Sequence, residues 1–260
     1  MVRVAVDHTS YIAKSRASLE ALKSANLLKS LNINALILGS IGTGKFTLAQ
    51  LILPDAPVVD GNDLHEVLSH MSLSDTIIIK NFDKINNYQK LQDALRHSKT
   101  RIIATSRVDL TEKIRDKFFS VQITLAPLSQ RKEDIEPLAH KFFKEVSEVL
   151  GHDDNCEVSL KNLSFDLSQN CYSLRKSVYL KYLMSSLDEN GIMNIMEDFF
   201  DKKIGGKNDY RDNLYLFDVP LLRSGFKKFH SQLSISEKFG LNRNTLRKKI
   251  SDYKDTYTLQ

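Results

Sequence analysis

The feature that most constrains the fold is a glycine-rich segment, Gly39–Lys45, between an apolar run and a stretch with helical spacing. The run Ala35–Leu38 is typical of a buried strand, and residues 46–53 are expected to form a helix. In this order the glycines let backbone N–H groups close around phosphate oxygens, and Lys45 reaches the terminal phosphates. The next residue, Phe46, lacks the Ser or Thr hydroxyl that usually binds magnesium there. We therefore predict a nucleotide phosphate site, against the alternative of a glycine-rich turn without a ligand.

Runs of strand length alternate with segments of helical periodicity through the first half of the chain. The run Thr76–Ile79 is continuous and β-branched, which is typical of a strand buried on both faces of a parallel sheet. Five strands alternating with helices predict a doubly wound α/β layer, which we assign to residues 1–130. The predicted strands are 35–38, 57–60, 76–79, 101–105 and 121–125, and the predicted helices are 11–31, 46–53, 63–71, 88–97 and 110–117.

The strand pattern stops at Arg131, and helical periodicity takes its place. This predicts a helical lid at residues 131–201. The polar stretch 202–209 contains two adjacent glycines, and we place a linker at residues 202–220. Residues 221–260 are then expected to form a small all-α domain. The predicted helices of the lid are 133–150, 159–167, 173–187 and 191–200.

Charge is unevenly distributed along the chain. Residues 223–260 carry nine Lys or Arg and three acidic residues, a net charge of +6, whereas the rest sums to −1. A basic tail on a neutral body indicates that a polyanion binds at one end. No apolar run approaches membrane-spanning length and the N-terminus lacks a secretory apolar segment, so we expect a cytoplasmic protein without a membrane partner. The cysteines and histidines show no metal-ligand spacing, so no metal site is expected.

The basic tail contains a helix-turn-helix pattern over Leu233–Ile250. Gly240 permits the left-handed turn between two short helices, and Asn242 caps the second, which buries Leu246. The alternative is an amphipathic helix with a solvated basic face. The preceding helix, Leu221–His230, is expected to pair with its copy in a homodimer, because fewer than about 40 residues rarely form a stable core. Arginine and asparagine suit base edges and lysine suits phosphates of duplex DNA, so the predicted contacts are Asn242, Arg243, Asn244, Thr245, Arg247, Lys248 and Lys249.

Four stretches of the chain match motifs of one known family. Residues 39–45 are similar to a GESGTGK loop, 101–110 to a sensor-one strand, and 125–135 (LAPLSQRKEDI) to the signature LPPLRERREDI. Residues 170–177 lie where that family has WPGNVREL. The chain thus resembles the AAA+ core of NtrC-like bacterial enhancer-binding regulators, and GLNRNTLRKKI in the tail resembles their Fis-type DNA-binding domain. The resemblance implies dimers or higher oligomers, and it implies nucleotide contacts by Gly39, Gly42, Thr43, Gly44, Lys45, Phe46 and, at the sensor-two position, Arg175.

The chain departs from this family where hydrolysis and sigma-factor remodelling take place. The family's Walker B strand ends in Asp-Glu, which hold magnesium and polarise the attacking water, but this chain has Lys80 and Asn81. A lysine repels magnesium, and an amide cannot accept a proton from water. The sensor-one asparagine is replaced by Arg107. The interval 46–76 is too short for the GAFTGA loop that engages the sigma factor.

These departures predict a degenerate AAA+ module that hydrolyses ATP poorly. Binding of ATP or ADP stays open, since the loop glycines, Lys45 and Arg175 favour it. Phe46 and Lys80 argue against magnesium, although Lys80 can itself neutralise phosphate. If nucleotide binds, we expect little dependence on magnesium.

The leading hypothesis is a sequence-specific DNA-binding transcriptional regulator. Its AAA+ body then serves oligomerisation, nucleotide sensing or the binding of a transcription protein, and no receiver domain is expected because the chain begins almost at the AAA+ helix. One alternative is a working ATPase that acts on DNA or a transcription partner. It would use a displaced acid such as Asp83, which requires an irregular strand end. Another is an interaction protein that modulates an active relative, or one that organises DNA in the manner of Fis.

Overall fold

The computed structural model describes residues 11–150 and 165–259, and the chain divides into two compact units, Met1–Ser186 and Leu187–Gln260. The strands of the described residues lie in the first unit: β1 Ala35–Leu38, β2 Val58–Asp60, β3 Thr76–Lys80, β4 Arg101–Ser106 and β5 Val121–Thr124. Its helices are α1 Arg16–Ser30, α2 Lys45–Ile52, α3 Leu64–Leu73, α4 Tyr88–His97, α5 Glu112–Phe118, α6 Lys132–Leu150 and α7 Cys171–Ser185. The second unit contains α8 Glu189–Asp201, α9 Asp209–Asn213, α10 Tyr215–Phe229, α11 Gln232–Lys238 and α12 Arg243–Lys254.

The five strands form one parallel sheet in the order β2-β3-β4-β1-β5, which confirms the predicted fold class. β1 lies between β4 and β5, and Ala35 is in register with both Ile103 and Val121. Helical connections cover both faces of a parallel sheet, and every residue of β4 is accordingly buried. Ligands of open α/β sheets bind outside the carboxyl ends of the strands, so the loop after β1 lies at the expected edge.

Alternate side chains of the strands enter two apolar cores, because the side-chain period of a strand is two. Leu36, Ile77 and Ile79 belong to one core, whereas Ile37 and Ile78 belong to the other. Helix α2 packs into the second core together with α1. This packing anchors both ends of the glycine-rich loop that joins β1 to α2.

The lid consists of α6, α7 and the residues that lead into them. The two helices pack together through a third core, which includes Leu128, Phe142 and Leu174. The predicted helix 159–167 falls mainly in residues 151–164, which lie outside the described residues, as does Cys156, and residues 165–167 are not helical. The helix predicted at 191–200 is present as α8, but it belongs to the second compact unit rather than to the lid.

The predicted linker at residues 202–220 is wrong, because α9 and the beginning of α10 occupy part of it. Val219 and Leu222 of α10 are buried against Ile235 and Leu246 of the two helices that follow. Only the polar stretch before Asp209 has the irregular backbone of a connection. None of the helices within 11–150 and 165–259 combines the length and apolar character needed to cross a bilayer.

Candidate nucleotide site and nucleic-acid interface

The loop between β1 and α2 contains two glycines in the left-handed backbone conformation. Gly42 and Gly44 have φ angles of +73° and +95°, a region that other residues rarely adopt. Lys45 begins α2, and its ammonium donates to the carbonyls of Gly39 (2.6 Å) and Ser40 (2.7 Å). Burial is the main cause that lowers the pKa of Lys45 to about 8. The lysine is thus held at the loop, where its charge is poorly solvated and accessible to an anion.

The loop forms one wall of a cavity of about 410 Å³. A Cβ at Gly39 would lie 2.8 Å from the Thr43 hydroxyl, so this glycine permits close packing within the loop. The cavity combines charged groups with apolar residues of α6 and of the segment before α1, as a site for a phosphate chain and a base requires. The predicted residues that line it are Gly42, Thr43, Gly44, Lys45, Phe46, Lys80, Asn81 and Arg175. The lining residues that sequence analysis missed include Tyr11, Ile12, Asp60, Arg131, Leu138, Lys141, Phe142, Cys171 and Tyr172.

Arg131 precedes α6, is only 3% exposed, and contacts the glycine-rich loop between β1 and α2, which we call the phosphate loop. Its guanidinium donates to the Thr43 carbonyl at 3.0 Å and lies 3.5 Å from a carboxylate oxygen of Asp134. Asp134 is fully buried and also accepts the backbone N–H groups of Lys14 and Ser15. This ion pair therefore joins the loop, the lid and the start of α1. The match of residues 125–135 to the signature LPPLRERREDI drew attention to Arg131 and Asp134. That match did not predict the contact of Arg131 with the loop.

Lys80 and Asn81 follow the apolar residues of β3 at the edge of the cavity. The ammonium of Lys80 lies 4.9 Å from the ring centroid of Phe46. Asn81 has a left-handed φ of +53° and donates its amide to the Asp60 carboxylate at 2.8 Å. Burial alone would raise the pKa of Asp60, but hydrogen bonds from Asn62 and Asn81 and the charge of Lys80 lower it. A lysine and a phenyl ring offer no ligands to magnesium, so Phe46 and Lys80 do not fit that ion.

The carboxylate of Asp83 lies just beyond the irregular end of β3. The left-handed Asn81 and a 3-10 turn after it create the irregularity. Asp83 accepts hydrogen bonds from the Ser106 hydroxyl and the Arg107 N–H, both at 3.2 Å. Burial and then Arg107 lower the pKa of Lys45, and the charge of Asp83 partly opposes them. The displaced acid is therefore near the loop lysine, but it is engaged with the end of β4.

Arg175, predicted at the sensor-two position, lines the cavity from α7. Its guanidinium pairs with Glu145 at 3.1 Å and lies 4.7 Å from the ring centroid of Phe142. Asn170 is the residue before α7, and Tyr172 and Arg175 of that helix both line the cavity.

Helices α11 and α12 of the second unit flank the turn at which sequence analysis placed Gly240. Gly240 has a φ of +63° in the turn, and the side chain of Asn242 caps α12 by accepting the Asn244 N–H at 2.9 Å. Ile235 and Leu246 are buried and attach the two helices to α10. Six of the seven predicted DNA contacts are exposed on or beside α12: Asn242, Arg243, Asn244, Thr245, Arg247 and Lys248.

Lys249, the seventh predicted contact, lies on the inner side of α12, which corrects the prediction that it binds phosphate. Its ammonium is 2.6 Å from the carboxylate of Asp218, which is 5% exposed on α10. The hydroxyl of Tyr253 donates to the same carboxylate at 3.1 Å. Burial and then this hydrogen bond raise the pKa of Tyr253 to about 12. Lys249 therefore attaches α12 to α10, because a buried carboxylate requires a partner.

The apolar face predicted for dimer formation is used within the second unit itself. Leu222 is buried, and Phe226 and Phe229 pack against the same core. The exposed apolar side chains of the second unit include five on α8 and the first turn of α10: Ile192, Met193, Ile195, Phe199 and Phe217. A groove of about 390 Å³ lies between the second half of α8 and the start of α10. It is lined mainly by Met196, Phe200, Ile204, Tyr210, Leu214 and Phe217.

Comparison with known proteins assigns the fold. No protein-family model matches the chain. NtrX from Brucella abortus in complex with ADP is similar with a TM-score of 0.57 and 16% identity, over 95% of this chain and 69% of that chain. The same protein in complex with ATP gives a TM-score of 0.54 and 15% identity, over 94% and 70%. Among curated proteins, limonene hydroxylase from Geobacillus stearothermophilus is 25% identical over 170 residues, 59% of this chain but only 31% of that relative's length. The structural likeness shows that the chain shares the fold of NtrX.

Proposed function

We propose that the protein is a sequence-specific, DNA-binding transcriptional regulator whose AAA+ core binds nucleotide without appreciable hydrolysis. The observation that carries this proposal is the division of α12 into two faces. Leu246 and Lys249 attach the helix to its unit, and the opposite face exposes arginine, asparagine, threonine and lysine side chains. The major groove of duplex DNA is wide enough for an α-helix, and side chains of these types hydrogen-bond to base edges there.

The charge of the tail supports DNA as the partner. Residues 223–260 carry a net charge of +6, which attracts the phosphate backbone irrespective of sequence. Arg243, Asn244 and Arg247 lie in the first half of α12, from which helix-turn-helix domains usually contact bases. Lys248 and Lys254 are exposed and are assigned to phosphates. We expect base contacts to supply discrimination and phosphate contacts to supply most of the affinity.

The core fits the phosphates of ATP or ADP but not their magnesium ion. Loop N–H groups and Lys45 would hold the phosphates, and the cavity has room for a base beside Tyr11 and Phe142. The Nε atoms of Arg131 and Arg175 are buried and, within the described residues, make no hydrogen bond, so donors remain beside the cavity. The negative charge of the nucleotide phosphates would be neutralised by Lys45, Arg131 and Arg175. Hydrolysis is not expected, because the chain lacks the ligands and the base at the end of β3.

A working ATPase is the second candidate, and the irregular end of β3 favours it. That irregularity brings Asp83 close enough to influence Lys45. In this alternative the carboxylate leaves Ser106 and Arg107 and polarises the attacking water. The resulting enzyme would act on DNA or on a transcription partner.

We further assign the exposed apolar side chains of α8 and α10 to a homodimer contact. A regulator with one recognition helix per chain reads a two-fold DNA site as a dimer. The apolar groove beside Phe217 is exposed in a single chain, and a second copy would remove it from water. Higher oligomers and binding of a transcription protein through the AAA+ core belong to the same proposal.

The proposal is tested by selecting bound sequences from random duplexes with the full chain. We expect enrichment of inverted half-sites about one helical turn apart. The variant Arg243→Ala/Arg247→Ala should lose this enrichment. Lys202→Ala/Lys207→Ala removes the same charge from exposed positions outside α12 and should retain it. Equal enrichment by both variants would move DNA binding away from α12 and contradict the proposal.

A further inference from the structure

Three successive carbonyls of the phosphate loop accept hydrogen bonds from the lid. The distances are 2.7, 3.1 and 3.0 Å, and both side chains involved are less than 5% exposed. The pairs are the Asn170 amide with the Ile41 carbonyl, the Cys171 N–H with the Gly42 carbonyl, and the Arg131 guanidinium with the Thr43 carbonyl. The two preceding carbonyls, of Gly39 and Ser40, accept Lys45 instead. Every carbonyl from residue 39 to residue 43 is therefore held by a donor.

The direction of these carbonyls determines where the loop N–H groups point. In a planar trans peptide, the C=O of one residue and the N–H of the next point in opposite directions. When the lid holds the carbonyls of residues 41–43, the N–H groups of residues 42–44 turn the other way. Residues 42–44 line the cavity, and N–H groups of such a loop are the donors that hold phosphate oxygens.

Asn170 is placed for this role by strong local constraints. Its backbone has a φ of +54°, and its side-chain oxygen accepts the Leu128 N–H while its amide reaches the loop. The approach of lid and loop is close: a Cβ at Gly42 would lie 2.2 Å from the Gln169 carbonyl oxygen. Gly42 is therefore required both for its positive φ and for the close approach of the lid backbone.

We propose that Asn170 and Arg131 are positioning residues that pre-form the phosphate-binding loop from the side of the lid. They hold the loop carbonyls, and so they aim donors at a ligand that they do not need to touch. Phosphate binding and lid contact then favour each other, and this coupling is reciprocal. The ligand part of this inference rests on the proposed nucleotide binding, whereas the contact of lid and loop does not.

Two substitutions of Asn170 separate its donor from its acceptor. Asn170→Asp keeps an oxygen for the Leu128 N–H but removes the donor to Ile41, and Asn170→Ala removes both without adding charge. The matched control is Val178→Ala, which weakens the buried core of the lid but does not touch the loop. Affinities for a fluorescent ADP analogue and for tripolyphosphate are measured by titration, with melting temperatures alongside.

We expect both Asn170 variants to lose about tenfold or more in affinity for both probes, the loss typical of an unpaired buried polar group. Val178→Ala should change affinity by less than about threefold at an equal or larger loss of melting temperature. A loss confined to Asn170→Asp would be an effect of charge, and it would overturn the proposal. Equal losses in Asn170→Ala and Val178→Ala would reduce Asn170 to a purely structural residue and would overturn it as well.

A second measurement needs no nucleotide. In a Cys156→Ser background, the alkylation rate of Cys171 should rise when the lid leaves the loop, because its N–H bonds to Gly42 and its side chain is only partly exposed while the contact is made. We expect Asn170→Ala to raise this rate several-fold and Val178→Ala to leave it nearly unchanged. If the unaltered protein binds neither probe, nucleotide binding fails but the alkylation rate still decides the lid contact. A wild-type rate in Asn170→Ala would contradict the inference.

Discussion

The ammonium of Lys80 lies 4.9 Å from the ring centroid of Phe46, and both side chains line the cavity of the phosphate loop. They occupy the two positions at which the resemblance to NtrC-like regulators implies protein ligands of magnesium. A cation above an aromatic ring is favourable by about 0.5–2 kcal/mol, depending on exposure. The two departures therefore form one contact, which places an ammonium beside the loop between β1 and α2.

The first prediction is that nucleotide affinity depends little on magnesium. The dissociation constant of a fluorescent ATP analogue should change by less than about threefold between magnesium and EDTA. The double variant Phe46→Thr/Lys80→Asp restores two oxygen ligands and should bind ATP better with magnesium than without it. Phe46→Thr alone is the control, since it leaves the lysine in place. A large loss of affinity on chelation in the unaltered protein would show that the site holds the ion.

We also predict no phosphate release above background at saturating ATP and magnesium, with or without DNA. Lys80 provides no metal ligand, and the Asn81 amide cannot accept a proton from water. Turnover that disappears in Lys45→Ala would refute this prediction, because contaminating enzymes do not respond to that change. Turnover that also disappears in Asp83→Ala would establish the displaced acid as the base.

The affinity for ADP should fall as the pH rises through about 8. The pKa of Lys45 is lowered to about 8 by burial, so in the free protein the lysine is charged below this pH and neutral above it. Phosphate favours the charged form, and at pH 9 about nine-tenths of the free lysine is neutral, which costs about tenfold in affinity relative to pH 7. Titrations between pH 7 and 9 measure this change. Lys45→Met should bind weakly and without this dependence; a flat profile in the unaltered protein would be contrary to expectation.

Adjacent lysines of α12 should behave differently when each is replaced by alanine. Lys248→Ala should weaken binding to all duplexes and flatten the salt dependence by about one unit, with stability changed by less than about 0.5 kcal/mol. Lys249→Ala leaves Asp218 without its cation and should cost about 2 kcal/mol of unfolding free energy. Urea unfolding and DNA titrations at several salt concentrations separate the two effects. Equal stability of both variants would mean that the ion pair contributes nothing.

A dimer contact through α8 predicts that Ile195→Glu shifts the protein towards monomers. The side chain is 54% exposed in a single chain, and a charge at an apolar contact is unfavourable. Asn194→Glu places the same charge on the neighbouring polar face and should leave association unchanged. Sedimentation at several concentrations measures both. Dimers of unaltered strength in Ile195→Glu would exclude this face.

Local patterns were sufficient where chain neighbours decide the structure. The apolar run, the glycines at residues 42 and 44 and the helix from Lys45 follow one another directly, so their order predicted the strand, the loop and the helix. Gly240 and Asn242 predicted the turn before α12 and the cap of that helix for the same reason. Continuous β-branched residues in β3 predicted a buried parallel strand. Successive side chains of such a strand point to opposite faces of the sheet, and both faces are covered, so the buried positions are all apolar.

Contacts between distant residues were decided only by the tertiary structure. Phe46 and Lys80 appeared in the sequence as two separate losses, and the packing of α2 beside β3 makes them one contact. Lys249 belongs to a basic run, but the position of α10 gives it the buried partner Asp218. The lid bonds to the loop likewise join residues more than 80 positions apart. A residue's type and its neighbours determine local backbone and polarity, whereas the partner that a charge or an amide meets depends on how whole elements pack.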